Sequence, residues 1–324
     1  MGAADLVMTH SVGQKGKLEG LKVLVTGATG AVATPIVRAL SVDNDVYALA
    51  RLRTPADAQK LRDSGATPVP FDLATGSFDD LDQDYDLVLN FAVRRSTDED
   101  FEQEMVTGAE AIGLLMQRCR RARAFFHCSS SAVYRPPGDH PAREADPLGD
   151  HHGSQLPTYS IGKIVAEGVA RSGARAYGLP TVIARLGVPY GSVWGWPTRH
   201  LEDIAAGRPL VVHPTDPMLF SPIHELDIID QLPALVGRAA VPATVVNWGG
   251  DEAVRLQEWC ALMGELIGAE PVYRTSERAF RGAPVDPATR TSITGPTRVP
   301  WREGMTALVA EWLALRAKDG GAPN

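Results

Sequence analysis

The chain is poor in cysteine, in aromatic residues and in long apolar runs, and it carries no excess of basic charge. Three cysteines in 324 residues, Cys119, Cys128 and Cys260, are too few and too scattered for a disulfide framework. None stands at metal-ligand spacing, so no metal centre is expected. So low a thiol content suits a reducing compartment, and a cytoplasmic location is expected. The formal net charge of −7 leaves no basic footprint for nucleic acid, and none is expected as a partner. No apolar run is long enough to cross a bilayer, so no membrane association is expected. Residues 1–20 have neither a basic start with an apolar core nor a small-residue cleavage site, and read as a flexible tail. Met1-Gly2 looks like an acylation start, but Leu6 stands where Ser or Thr is needed. No internal repeat or low-complexity tract is present.

What remains is an ordinary globular composition, 44% hydrophobic and 22% charged, in a chain long enough for one large domain or two modest ones. Short apolar runs at 21–26, 45–49, 67–71, 85–91, 124–129 and 181–186 read as strands. Segments with helical periodicity lie between them at 31–41, 55–64, 100–121 and 159–176. Alternation of this kind predicts right-handed crossovers and a parallel sheet covered on both faces. The stretch 135–157, rich in Pro, Gly, Asp and His, predicts a loop. Beyond Tyr190 the strands shorten and Pro and Trp increase. The fold class is thus α/β, a doubly wound parallel sheet. It is divided into a larger domain over 21–190 and a smaller, interleaved lobe over 191–324.

The run Thr26-Gly27-Ala28-Thr29-Gly30-Ala31-Val32-Ala33 joins the first strand to the first helix. Gly27 permits a tight turn, Gly30 lets backbone approach a pyrophosphate, and Ala33 keeps helix and strand close. The helix N-terminus then offers N–H groups and partial positive charge to phosphates. Gly27, Thr29, Gly30, Ala31 and Val32 are expected to bind a dinucleotide. At the end of the second strand an acid would select NAD and an arginine NADP. Ala50 stands where the acid is expected and Arg51 follows it. A guanidinium suits a phosphate dianion, so NADP is the preferred cofactor, with NAD possible. Solvated loop charge is the other reading of Arg51 and Arg53. Asp72 either bonds an adenine amine or caps the next turn. Leu73, Phe91 and Ala92 are expected to run past the cofactor.

Tyr159 and Lys163 lie one helical turn apart, downstream of Ser129-Ser130-Ser131. A free phenol has a pKa of about 10 and is a poor base unless its anion is stabilised. A lysine on the same helix face supplies the positive charge, and a serine hydroxyl can bond a substrate oxygen that gains charge. After a cofactor turn, this order predicts hydride chemistry at a carbonyl or carbinol carbon.

These residues resemble the extended short-chain dehydrogenases/reductases, the NAD(P)-dependent epimerase/dehydratase group. The resemblance runs from about residue 20 to 315. It takes in the glycine turn, Asp72-Leu73, Ser129–Tyr134, Tyr159…Lys163, Arg185–Gly191, Ile223–Asp227, Gly295-Pro296 and Val299–Trp301. It implies a Rossmann-type NAD(P)-binding domain over 21–190 and a small, mostly substrate-binding C-terminal lobe over 191–324. It makes Tyr159 the acid/base, Lys163 its partner at the cofactor, and Ser130 the carbonyl-binding hydroxyl, with Ser129 and Ser131 as alternatives. Ser131, Val188, Trp194 and Trp196 are expected against the substrate. Helices 100–121 and 159–176 suit a four-helix bundle between two copies, so a homodimer is expected.

Three departures narrow the substrate. Nucleotide-sugar members usually carry Asn where Gly187 stands. They also tend to carry Arg shortly before Ile223-His224, where this chain has Pro217–Pro222. Ser131-Ala132 lacks the acidic pair of a sugar dehydratase. The expected substrate is therefore a small or medium carbonyl or alcohol. A nucleotide-sugar epimerase is the first alternative and a non-catalytic NAD(P) sensor the second; a lyase or isomerase using transient oxidation is a third. Met105 stands near a position that is often Asn. Trp194, Trp196, Met218, Leu219 and Phe220 suit either a pocket or a core. His151-His152 reads as a solvated loop pair, Glu144 and Asp146 as loop acids, and His224 and Asp227 as residues of the lobe junction.

Overall fold

The computed structural model describes residues 17–94, 99–136, 140–191 and 193–318. Most of the proposed tail, residues 1–16, lies outside that set. Seven parallel strands form the main sheet. They are β1 (Lys22–Thr26), β2 (Asp45–Ala50), β3 (Thr67–Pro70), β4 (Leu87–Asn90), β5 (Ala124–Ser130), β6 (Thr181–Leu186) and a seventh, Thr244–Trp248. From one edge the order is Thr244–Trp248, β6, β5, β4, β1, β2, β3. The direction of winding reverses between β1 and β4, where a crevice opens at the strands' carboxyl ends. The last strand comes from far beyond residue 190 and pairs with β6. Periodicity in the first half of the chain could not announce it.

Alternating side chains build a separate core on each face. Val23, Val25, Leu89, Phe126, Val182, Val246 and Trp248 pack against α1 (Ala33–Leu40) and the helix Glu225–Val236. Leu24, Val88, Phe125 and Ile183 face the opposite way. They pack against Ile112, Leu115 and Met116 of α4 (Ala111–Arg118) and Ala166, Ala170 and Ala174 of α5 (Tyr159–Tyr177). α2 spans Pro55–Asp63, with Thr54 and Asp57 forming its capping box. Glycine at 178 ends α5 in the left-handed region, which suits a residue without Cβ.

The helix expected over 100–121 is broken. α3 (Phe101–Glu104) passes into one π-helical stretch, Met105–Glu110, before α4 resumes. A third core, apart from the sheet, gathers Tyr190, Leu201, Phe220, Trp259, Met263, Met305 and Trp312. Among the described residues no helix is long and apolar enough to cross a membrane.

Candidate active site

The glycine turn lies at the reversal point. Gly27 has φ +66°, and a Cβ there would stand 2.8 Å from Ala92 Cα, so the turn presses on the chain leaving β4. Thr26 Oγ1 donates to Asn90 Oδ1 at 2.5 Å and accepts from Ala92 N at 3.3 Å, which fixes the two strand ends to each other. α1 has no side-chain cap and no acidic residue in its first turn. Its N-terminal dipole therefore faces the crevice unopposed, as a bound pyrophosphate requires. Thr29, Gly30 and Ala31 are exposed at the mouth and Val32 is half-buried. Phe91 is buried beside them and Ala92 half-buried. Arg51 is exposed just past β2, and no carboxylate stands at the buried Ala50. Asp72 Oδ1 accepts from Ala74 N at 2.9 Å and caps its own turn, with Leu73 half-buried between them.

Tyr159 opens α5 and is half-buried; Lys163 is buried one turn on. Lys163 Nζ donates to Cys128 O at 2.8 Å, which ties the helix to β5 two residues before Ser130. Ser130 Oγ accepts from Ala132 N at 3.2 Å, and its own proton is left to donate. Ser129 points elsewhere. Its hydroxyl donates to Glu167 Oε1 at 2.5 Å, and Ser131 is buried in the short turn that follows. The geometry thus separates the three serines.

Two polar rows cross the sheet beneath α5. Thr26, Asn90 and His127 stand in register on β1, β4 and β5. Asn90 Nδ2 donates to His127 Nδ1 at 3.0 Å. Burial, and then the charge of Lys163, hold the His127 imidazole well below its ordinary pKa. The second row, Ser129, Arg185 and Asn247, belongs to β5, β6 and the seventh strand. Arg185 grips Glu167 of α5 through Nε at 2.9 Å and Nη2 at 2.7 Å. Arg185 Nη1 donates to Tyr134 Oη, which donates in turn to Asn247 Oδ1. Burial pushes the Tyr134 phenol up to about 12. Sequence reasoning missed Glu167, although it stands one turn past Lys163 on the same helix face. It also missed Glu104, buried beside Thr158 and Gly162, where a Cβ at 162 would collide with its carboxylate. Met105, near the position that is often Asn, follows it at the start of the π-helical stretch.

The reading of His151-His152 as a solvated pair is wrong. His151 is buried, with Nδ1 3.1 Å from Tyr134 O and Nε2 3.2 Å from Arg281 O. The ring of His152 lies nearly parallel to that of Tyr159, centroids 6.0 Å apart, and contacts Phe280 at 4.7 Å. Proline-rich surroundings suggested a solvated loop; packing against the 278–281 segment buries it instead. Glu144 is likewise bound within the fold, accepting from Asn247 N and Thr289 Oγ1, whereas Asp146 caps a turn at Arg143 N. His224 Nδ1 accepts from Leu226 N, and Asp227 accepts from Arg298 N and Val299 N, which joins the sheet's helix to the chain's last segment.

On the substrate side Trp196 is half-buried against Phe220, Trp259 and Phe280. Met218 and Phe220 are core residues. Trp194 Nε1 donates to Glu225 Oε2, and Val188 is half-buried in a three-stranded sheet with Pro222 opposite. A Cβ at Gly187 would lie 2.6 Å from Ser221 O, so no side chain fits there. A cleft of ≈ 490 Å³ opens beside the loop before Tyr159; Gly153, Gln155, Pro157, Arg274, Ser276 and Arg278 line it.

A strand–glycine turn–helix at the reversal point of a parallel sheet, with a Tyr/Lys helix across the crevice, defines a Rossmann-type dinucleotide-dependent enzyme. The chain belongs to the NAD dependent epimerase/dehydratase family, whose model matches residues 23–207. No curated protein matches it. Among solved structures it resembles the UDP-glucuronic acid 4-epimerase of Bacillus cereus at 18% identity and TM-score 0.76, covering 91% of this chain and 100% of that one. It also resembles a UDP-N-acetylglucosamine 4-epimerase from Methanobrevibacter ruminantium M1, at 18% identity and TM-score 0.78 over 92% and 100% of the two chains. A third is TunA, an NAD-dependent NDP-hexosamine 5,6-dehydratase of tunicamycin biosynthesis, at 22% identity and TM-score 0.74 over 91% and 98%. One backbone carries epimerases and a dehydratase, so these likenesses establish the fold and leave the reaction to the site.

Proposed function

We propose that this protein is an NADP(H)-preferring oxidoreductase acting on a small or medium carbonyl/alcohol substrate, with Tyr159 as acid/base. The observation that carries the reading is the Lys163 Nζ–Cys128 O bond. It holds the Tyr159 helix against the strand end that presents Ser130, beside the glycine turn. A nicotinamide held at the crevice would supply or take up the hydride. In the oxidation direction Tyr159 accepts the carbinol proton while the C–H electron pair leaves as hydride. In the reduction direction it returns that proton to the oxygen. Ser130 donates a hydrogen bond to the same oxygen, and Lys163 supplies positive charge beside the phenolate. Residues 21–190 with the strand Thr244–Trp248 hold the cofactor. The rest of 191–324 shapes the substrate side.

Two features support a substrate without a diphosphate. Position 187 has no room for an anchoring side chain, and Phe220 is core. The cleft arginines Arg274 and Arg278 favour the second reading, a nucleotide-sugar epimerase. A screen of aldehydes, ketones, alcohols and UDP-sugars with both cofactors separates the two. Nicotinamide absorbance reports net redox, and product analysis reports epimerisation. Tyr159→Phe should lower turnover by about 10²–10⁴-fold with cofactor affinity intact; retained turnover would remove Tyr159 from the mechanism. Arg51, exposed beyond the acid-free end of β2, supports the NADP preference. Arg51→Glu should shift the ratio of dissociation constants toward NAD, and an unchanged ratio overturns the assignment. A homodimer through α4 and α5 is also proposed, and the mass in solution tests it.

A further inference from the structure

A series of rings leads from the proposed acid/base into the third core. Tyr159 faces His152 at 6.0 Å with 16° between planes, and His152 meets Phe280 at 4.7 Å. Phe280 meets Trp196 at 5.6 Å and 90°, and Trp196 meets Phe220 at 5.0 Å. The series has a gradient. Phe220 and Trp259 are fully buried, whereas Trp196, Phe280, His152 and Tyr159 are each half-buried and keep part of their surface open. The wall joins His152 to Phe280 from the far end of the chain, and it is stapled. His151 sets its ring nitrogens against Tyr134 O and Arg281 O, and the Gln155 amide donates to Arg278 O. His152 and Phe280 are therefore held at a fixed spacing before any substrate arrives.

Fully apolar packing would have buried these rings with Trp259. Solvation of the loop would have left His152 apart from Phe280. A half-exposed, pre-set row of ring faces and edges beginning at Tyr159 suits a flat partner, because aromatic pairs favour offset or edge-to-face contact with a planar ring. We propose that the substrate carries its reacting carbonyl or carbinol on a planar aromatic ring system, which lies against Phe280, His152 and Trp196. This inference rests on Tyr159 as the acid/base, since that residue fixes where the reacting oxygen sits.

The test uses the full chain saturated with NADP⁺ or NADPH. The probes are 2-acetylnaphthalene and its saturated counterpart 2-acetyldecalin, which share the ketone but differ in planarity. Calorimetry on the NADP⁺ complex reads binding without turnover. Nicotinamide absorbance on the NADPH complex reads reduction. The planar ketone should bind roughly fivefold to tenfold more tightly than the saturated one. Phe280→Leu should erase most of that preference, Phe280→Tyr should keep it, and cofactor affinity should not move in either. His152→Leu provides the same comparison if Phe280→Leu does not fold. Equal binding of the two ketones, binding of neither, or a preference that survives both leucine variants overturns the inference. Planar binding that depends on Phe280, without reduction, leaves the wall standing and removes the redox reading. Reduction of both ketones without preference does the reverse.

Discussion

The two faces of the main sheet differ most at the carboxyl ends of its strands. Toward α1, the inward positions near those ends include Val25, Leu89, Cys128, Ala184, Leu186 and Trp248, an apolar layer up to Ser130 at the tip of β5. Toward α5, the same strand ends present Thr26, Asn90, His127, Ser129, Arg185 and Asn247, all buried. Buried polar groups are costly unless bonded, and a buried ion pair adds little net stability over apolar packing. The polar face therefore fits a positioning task. It joins β5, β6 and the seventh strand to the helix of Tyr159 and Lys163 through directional bonds that apolar contacts cannot supply.

The comparison is broken most strongly by emptying one position on each face. Glu167→Ala leaves Arg185 buried without its carboxylate and should cost about 3–5 kcal/mol. Trp248→Ala opens a cavity under the other face and should cost a similar ~3–5 kcal/mol. Urea unfolding measures both. The faces should separate in kinetics. Glu167→Ala should also lower kcat by on the order of 10²-fold, because it frees Ser129 and α5, whereas Trp248→Ala should leave kcat near that of the parent. Equal kinetic loss in both variants would end the positioning argument.

Acid tests the buried histidines. Burial lowers His200, which accepts from Trp259 Nε1 in the third core, to about 4 from an ordinary 6.5. His127 on the polar face is lowered as well. The folded chain keeps both neutral while the unfolded chain protonates them. Between pH 6.5 and about 4 the unfolded state thus binds more protons, and stability falls as pH falls through that window. The His200 share is about 3 kcal/mol. His200→Gln should remove that share and leave a residual slope from His127, His151 and His224, which burial also lowers; a flat profile in thermal melts would mean the polar face contributes nothing. The smallest effect is expected from Thr26→Val. Loss of the Asn90 and Ala92 bonds should cost about 1–3 kcal/mol and weaken cofactor binding, since those bonds register the turn against β4.

Much of this was legible in the chain. The glycine turn, the alternation of strands and helices and the Tyr159/Lys163 spacing are local patterns, and the strand ends follow them within a residue or two. Arg185 inside an apolar strand and Glu167 one turn past Lys163 were readable as a pair only once β6 and α5 were known to share a face. The π-helical stretch had no signal in the sequence, because helical periodicity looks the same on either side of a single wide turn.

The sequence by itself determined the Rossmann half and the placing of Tyr159 and Lys163 one helical turn apart, because hydrophobic period, turn chemistry and helical spacing act over a few residues. Only the tertiary structure decided that Ser129 is held by Glu167 and that His152 lies over Tyr159. It alone brought Phe280 and Trp196 to the same wall. Those contacts join segments far apart in the chain, and their partners are chosen by how the third core packs against the sheet.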